Sequence, residues 1–168
     1  MNTETLIHVR PAKLTDAGVL CDLLNEIIRI GGTTAYEIPM TVDEFIECFL
    51  SGPNFVSCFV AEDEKSGLLL GLRHVELPDD WVDIATYARP EPKIPGVGAA
   101  LFAATKVKAR ELHLSAINTT IRADNTGGLA FYKKMGFEDY KITEAVPLRD
   151  GTPVDRGSKR FPCANPGS

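Results

Sequence analysis

The chain has 168 residues, 44% hydrophobic and 24% charged, with a formal net charge of -5. That length suffices for one domain with its own core and no metal or disulfide staples. The acidic balance gives no support to a nucleic-acid partner, whose binders carry a basic face. No apolar run approaches membrane-spanning length, and Met1-Asn2-Thr3-Glu4 lacks the basic and apolar regions of a signal peptide. Cys21, Cys48, Cys58 and Cys163 are widely spaced, three of them inside apolar patterns, and read as buried free thiols of a cytoplasmic protein. His8, His74 and His113 are isolated in sequence, so no metal site is expected.

In chain order, Leu6-Ile7-His8-Val9 is predicted as a first strand, stopped near Arg10 by Pro11. Thr15 is placed to cap a helix whose Ala17, Leu20, Leu23, Leu24, Ile27 and Ile28 recur at three- and four-residue steps, and Gly31-Gly32 end it. Thr33 to Met40 is a connector carrying Thr34, Tyr36 and Glu37. Thr41 with Glu44 forms a capping box for a short helix containing Phe45, Ile46 and Phe49, closed by Gly52-Pro53. Three strands are predicted next, Phe55 to Glu62, Leu68 to Leu77 with a weak point at Gly71, and Trp81 to Ala88. The turns between them, at Lys65-Ser66-Gly67 and Pro78-Asp79-Asp80, are short enough to make consecutive strands antiparallel neighbours.

The stretch from Pro90 to Arg110 is the most informative. Pro90-Glu91-Pro92-Lys93-Ile94-Pro95-Gly96-Val97-Gly98 joins the third of those strands to an Ala-rich helix. Glycines without Cβ atoms allow close approach to the backbone, and the first helical N–H groups have no intrahelical partners, which together describe an anion cradle. The alternative is a tight strand-to-helix turn that lets two elements pack. A Walker loop needs a lysine and a hydroxyl residue after its glycines, whereas Ala99 and Ala100 follow Gly98. A dinucleotide fingerprint needs three glycines early in a βαβ unit. Backbone-only binding of a pyrophosphate fits this stretch better than either.

The helix from Gly98 to Arg110 is expected to bury Leu101, Phe102 and Val107 and to turn Lys106, Lys108 and Arg110 to water. Leu112 to Ile117 then returns as a strand parallel to Val82–Ala88, because a crossover helix joins them. Asn125-Thr126-Gly127-Gly128 opens a helix over Leu129 to Met135 that Gly136 terminates, and Phe137 to Val146 reads as an edge or hairpin strand. After an Asp150-Gly151 turn, Lys159-Arg160-Phe161 adds a short strand and Pro162 to Ser168 is loose. No linker divides the chain, so residues 1–168 are expected as one domain with its core at about 5–162. The fold class is α/β in the mixed, α+β sense. A central, mostly antiparallel sheet carries one parallel pair and has helices on both faces.

Lys93-Ile94-Pro95-Gly96-Val97-Gly98 resembles the acyl-CoA motif Gln/Arg-x-x-Gly-x-Gly/Ala of the GCN5-related N-acetyltransferases (GNAT). The family's second familiar stretch is present as Asn125-Thr126-Gly127-Gly128-Leu129-Ala130-Phe131-Tyr132-Lys133-Lys134-Met135-Gly136-Phe137. Spacing and element order are similar over nearly the whole chain, and the phosphinothricin acetyltransferase-like branch is the most similar. The resemblance implies acetyl-CoA as cosubstrate, with its pyrophosphate on the backbone of Ile94, Gly96, Val97, Gly98 and Ala99. Lys93 stands where many members have arginine and adds a point charge without arginine's rigid fork. Pro95 removes one amide donor.

Amine attack on a thioester needs a proton taken from the substrate ammonium and one delivered to the departing thiolate. The acyl group is already activated, so direct transfer in a ternary complex needs neither metal nor covalent intermediate. The resemblance makes Tyr132 the candidate acid and gives Asn125 a contact to the CoA arm or to a nearby backbone group, although capping its helix is an equal and compatible role. Asp83 shares one side of its strand with Ala85 and Tyr87 by twofold alternation, and the branch carries an acidic residue four positions before a tyrosine here. It is the candidate base, provided burial raises it from an ordinary pKa of about 4. The phrase Gly31-Gly32-Thr33-Thr34-Ala35-Tyr36-Glu37 resembles the corresponding region of that branch, which places Thr34, Tyr36 and Glu37 in the acceptor pocket. Their alternative role is to anchor a surface loop. Arg73 and His74 are candidates to meet an acidic group of the substrate.

The sequence therefore predicts an N-acetyltransferase acting on the primary amine of a small molecule, an amino acid or amino-acid-like compound. Acetylation of a protein or peptide N-terminus and noncatalytic acyl-CoA sensing are the alternatives. The resemblance also implies a homodimer.

Overall fold

A computed structural model describes residues 5–76 and 82–163. The expected Pro78-Asp79-Asp80 turn, Leu77, Trp81 and most of the loose tail lie outside the described residues. Seven strands form one sheet in the order β1-β2-β3-β4-β5-β7-β6. They are β1 (Ile7–Pro11), β2 (Phe55–Asp63), β3 (Leu69–Glu76), β4 (Val82–Ala88), β5 (Ala116–Arg122), β6 (Glu138–Pro147) and β7 (Pro153–Pro162). Every neighbouring pair is antiparallel except β4 with β5, which is parallel. That is the mixed sheet expected from the sequence.

Helices α1 (Ala17–Ile30) and α2 (Val42–Phe45, continuing as a wider turn over Ile46–Leu50) cover one face. There the predicted stripe of α1 is buried together with Phe45, Phe49, Val60, Leu72 and Tyr87. Helices α3 (Val97–Glu111) and α4 (Thr126–Met135) cover the other, where Phe102, Ile117, Tyr132 and Phe137 form the core. No helix among the described residues is long and apolar enough to cross a membrane.

Local signals hold where the chain supplies both partners nearby. The Thr41 hydroxyl accepts from the Glu44 amide at 3.1 Å and the Glu44 carboxylate from the Thr41 amide at 3.0 Å, the predicted capping box. Thr15 does not cap α1. The chain enters through a tight turn over Leu14–Asp16, and Asp16 accepts from the Lys13 amide at 2.7 Å while pairing with Arg10 of β1 at 2.8 Å. The Arg10 guanidinium, six residues earlier on the preceding strand, decides which residue takes that position.

Two boundaries move for a common reason. Helix α3 continues to Glu111, Leu112 becomes its 44% exposed cap, and His113 turns the chain at φ 56°. The following strand is therefore Ala116–Arg122, displaced toward the C-terminus from the expected Leu112–Ile117. Its Asn118 and Thr119 look unlike a strand core in sequence, yet both are buried and bond to β4. Val107, expected in the core, is 50% exposed, because Thr105 and Ala109 continue the stripe begun by Leu101. Lys106 lies over the Phe102 ring at 5.0 Å, so its stem covers the core. Strand β7 is ten residues long where a short final strand is expected, and it pairs on both sides, with β5 and β6.

Gly71 is a requirement of packing. A Cβ there would lie 2.7 Å from the Tyr87 carbonyl oxygen and 2.8 Å from Val97 Cγ1, at the point where α3 begins against the sheet. Gly71→Ala should lower stability by about 1–3 kcal/mol, read from urea unfolding midpoints. An unchanged midpoint would show that α3 can move away without cost.

Candidate active site

Among the described residues, strands β4 and β5 pair at two positions, Val82↔Ile117 and Asp83↔Asn118. Thr119 Oγ1 still reaches the Ile84 carbonyl at 3.3 Å, and beyond that the strands diverge. A cleft of about 840 Å³ opens between them. One side is lined by Lys93 to Ala99, Asn125, Phe131 and Tyr132, and the other by Thr34, Tyr36, Phe49, His74, Asp83 and Tyr87. The sequence-predicted residues on these two lists are brought together although they come from distant parts of the chain.

On the first side, Gly96 has φ +89° and precedes α3, whose first bond is Ala100 N–H to the Gly96 carbonyl at 3.0 Å. The amides of Val97, Gly98 and Ala99 come before that bond and are the helix's unpaired donors. Gly98 has another task. A Cβ there would meet the Phe131 ring at 2.9 Å, so its absence lets α3 approach α4. Ile94 packs with Val97 and Leu101, anchoring the loop, and Lys93 is exposed at the rim. Arg89 and Lys134 also line this side. The lysine pair after Tyr132 was the available sequence signal for Lys134, whereas Arg89 sits at a strand end with nothing to mark it.

Tyr132 is buried on α4, and its hydroxyl lies 2.9 Å from Thr86 Oγ1. Thr86 was not singled out from sequence, though alternation on β4 places it opposite Asp83, Ala85 and Tyr87. Asn125 caps α4 by accepting from the Gly128 amide at 2.9 Å, and its side-chain amide donates to the Thr33 carbonyl at 3.1 Å.

On the second side, Asn118 Nδ2 donates to Asp83 Oδ1 at 3.0 Å, and the Tyr140 hydroxyl donates to Asn118 Oδ1. Burial raises the Asp83 carboxyl above its ordinary range, and the negative charge of Glu76, directly opposite on β3, adds to the effect. Glu76 was missed by sequence reasoning because it lies just before the turn expected at Pro78-Asp79-Asp80. His74 is held between Phe49 and Phe55, and burial pushes it down to about 4, so it is neutral at physiological pH. Cys48 is exposed and lines the cleft, contrary to the expectation of buried thiols. Burial and neighbouring carboxylates push its thiol pKa up, which makes it a poor nucleophile.

The connector lies over this side. Arg122 Nη1 donates to the Thr34 carbonyl at 2.9 Å, and the Tyr36 amide donates to Thr34 Oγ1 at 3.2 Å. The Tyr36 ring lies 5.7 Å from that of Phe49. Two sequence-predicted acceptor residues stand elsewhere. Glu37 does not line the cleft. Its carboxylate accepts from the Arg149 amide at 2.9 and 3.1 Å, which satisfies a backbone donor in the β6–β7 turn and gives it the loop-anchoring role. Arg73 points to the opposite face of the sheet from His74 and is fully buried, so it does not reach the acceptor side. Among the described residues no cluster of three or more His, Cys, Asp or Glu side chains gathers to hold a metal.

Residues 22–137 match the acetyltransferase (GNAT) family. No curated protein matches the chain. Among solved structures, a GNAT superfamily phosphinothricin acetyltransferase from Sinorhizobium meliloti, in complex with acetyl-CoA, is 19% identical, with 96% of this chain and 91% of that chain covered and a TM-score of 0.82. YncA of Salmonella typhimurium, solved with its cofactor acetyl-CoA, is 15% identical over 95% of each chain with a TM-score of 0.80. A ribosomal-protein-alanine N-acetyltransferase from Brucella melitensis is 19% identical, covering 92% of this chain and 99% of that one, with a TM-score of 0.78. Neighbours so different in name share the fold and favour no single branch. With the family match extending over more than half its length, the chain belongs to the acetyltransferase (GNAT) family.

Proposed function

We infer that the protein is an acetyl-CoA-dependent N-acetyltransferase that acetylates the primary amine of a small, amino-acid-like molecule directly. The observation that carries this reading is the placement of Asp83 and Tyr132 on opposite sides of β4, both lining the cleft where β4 parts from β5. Two of the structural neighbours were solved with acetyl-CoA. The cradle here fits that group, with leading amides at Val97, Gly98 and Ala99 and cationic Arg89, Lys93 and Lys134 around the same side.

Acetyl-CoA, when bound, supplies an acyl group already activated as a thioester. Asp83 takes a proton from the substrate ammonium, a task for which its raised proton affinity suits it. The Tyr132 hydroxyl, held by Thr86, gives a proton on the sulfur side. Thr34, Tyr36 and Phe49 orient the amine and exclude water. The connector pinned by Arg122 and Asn125 narrows the acceptor side, which supports a small amine over a peptide.

Calorimetry should show one acetyl-CoA per chain, and thiol release should follow addition of a small amine from a panel that also contains peptides. A folded protein that binds no acetyl-CoA would sink the reading. Tyr132→Phe should reduce kcat by about 100-fold or more while leaving acetyl-CoA affinity unchanged. Equal loss of affinity would mean a packing role instead.

Asp83 also has a stability signature. Its proton affinity is higher in the folded chain than in the unfolded one, so stability declines as pH rises from the ordinary value of 3.8 through the raised folded value. Asp83→Asn should match wild-type stability below that window and equal or exceed it at neutral pH. At the same time it should abolish the acidic limb of the kcat/KM profile. Thermal unfolding across pH and the rate profile check the two halves, and a limb that persists would remove Asp83 as the base.

A further inference from the structure

Arg73 is the most deeply buried charged side chain among the described residues, with 0% exposure. Its Nε donates to Thr86 Oγ1 at 2.8 Å, its Nη1 and Nη2 have no partner, and its guanidinium carbon lies 5.4 Å from the centroid of the Phe102 ring. A cation taken out of water with so little compensation is costly, and an apolar residue would suit that core better. Burial lowers its pKa to about 10, which still leaves it charged at neutral pH.

The charge lies one hydrogen-bonded step from the cleft, because Thr86 Oγ1 also touches the Tyr132 hydroxyl at 2.9 Å. Arg73 can only donate, so it occupies a lone pair of Thr86 and leaves the threonine proton available to the Tyr132 oxygen. The Tyr132 O–H is then free to point into the cleft. We propose that Arg73 is a positioning residue for acetyl transfer: acting through Thr86, it turns the Tyr132 O–H toward the leaving sulfur and offsets the negative charge that forms there.

The step balances. The amine nitrogen, having given one proton to Asp83, forms the C–N bond and loses its second proton to solvent. The C–S bond breaks with its electron pair on sulfur, that pair takes the Tyr132 proton to form S–H, and the O–H pair remains on the Tyr132 oxygen. The Thr86 hydroxyl donates to that oxygen, Arg73 supplies the compensating positive charge, and a solvent proton restores the phenol. A charge fixed in a dry site before the reaction needs no reorganisation during it. The inference rests on Tyr132 as the proton donor.

Its test uses Arg73→Met, which removes the buried charge while keeping bulk, and Thr86→Val, which cuts the link with a residue of the same shape. The first readout needs no acceptor. Free CoA is bound to each protein and the ultraviolet absorbance of its thiolate is followed with pH. Both variants should bind CoA as wild type does, yet show the thiolate band at higher pH. In acetyl transfer their kcat should fall on the order of 10- to 100-fold, with the amine KM unchanged and the alkaline limb moved to higher pH. A thiolate band at the wild-type pH with kcat intact, alongside a slow Tyr132→Phe enzyme, would overturn the role of Arg73 alone. A Tyr132→Phe enzyme as fast as wild type would overturn the proton-donor reading and this proposal with it. Thr86→Val decides the matter by itself if Arg73→Met does not fold.

Discussion

The site depends on the brevity of one strand pairing. Among the described residues strands β4 and β5 share Val82↔Ile117 and Asp83↔Asn118, and past the Thr119–Ile84 contact the cleft opens between them. Such a split can persist because each strand is secured on its other side. Strand β4 pairs with β3 from Gly71↔Ala88 to Glu76↔Asp83, and β5 pairs with β7 from Ala116↔Pro162 to Arg122↔Arg156. The inner edges of the fork therefore keep strand geometry while their backbone groups face the opening, where an extended ligand arm can satisfy them. The length of β7 is thus part of the site, since a short final strand could not hold β5 out along its whole length.

The sheet also separates two kinds of electrostatics. Twofold alternation sends His74 and Asp83 to the face under α1 and α2 and Arg73 and Thr86 to the face under α3 and α4. The acceptor side carries Asp83 and Glu76 with a neutral His74, a negative environment in which the Asp83 carboxyl holds its proton more tightly than usual. The other side collects Arg89, Lys93 and Lys134 at its rim and Arg73 in its core, a positive environment. A one-residue slip in β3 or β4 would exchange these sets, so the register decides which charges face each side.

Much of the fold was legible because its signals are local. The Thr41–Glu44 box, the stripe of α1, the glycine that ends α4 and the Gly96–Gly98 turn each depend on residues a few positions apart. What was misread depends on distant partners. Thr15 is the exception, since it yielded to Asp16 for a counter-charge on Arg10 only six residues earlier. Glu37 resembled a pocket residue, and only the β6–β7 turn reveals the amide it binds. Arg73 was set beside His74 on the acceptor side, although neighbouring strand residues face opposite ways and its cation made the buried face seem closed to it. The polar pair Asn118-Thr119 gave no strand signal, since its burial is made tolerable by groups on β4 and β6.

One corner ties the two halves of the site together. Asn125 caps the helix that carries Tyr132 and, with the same side chain, holds the Thr33 carbonyl of the connector. Three residues earlier, Arg122 is fixed by both oxygens of Asp124 and holds the Thr34 carbonyl. The donor-side helix and the acceptor-side cover therefore share hydrogen bonds within a single short turn. The cap and the hold on the Thr33 carbonyl are coupled at this corner, because the capping oxygen and the amide of Asn125 belong to the same rigid plane. Turning that plane to serve one partner turns it away from the other, so the placement of Tyr132 and the closure of the connector are set by one side-chain rotamer.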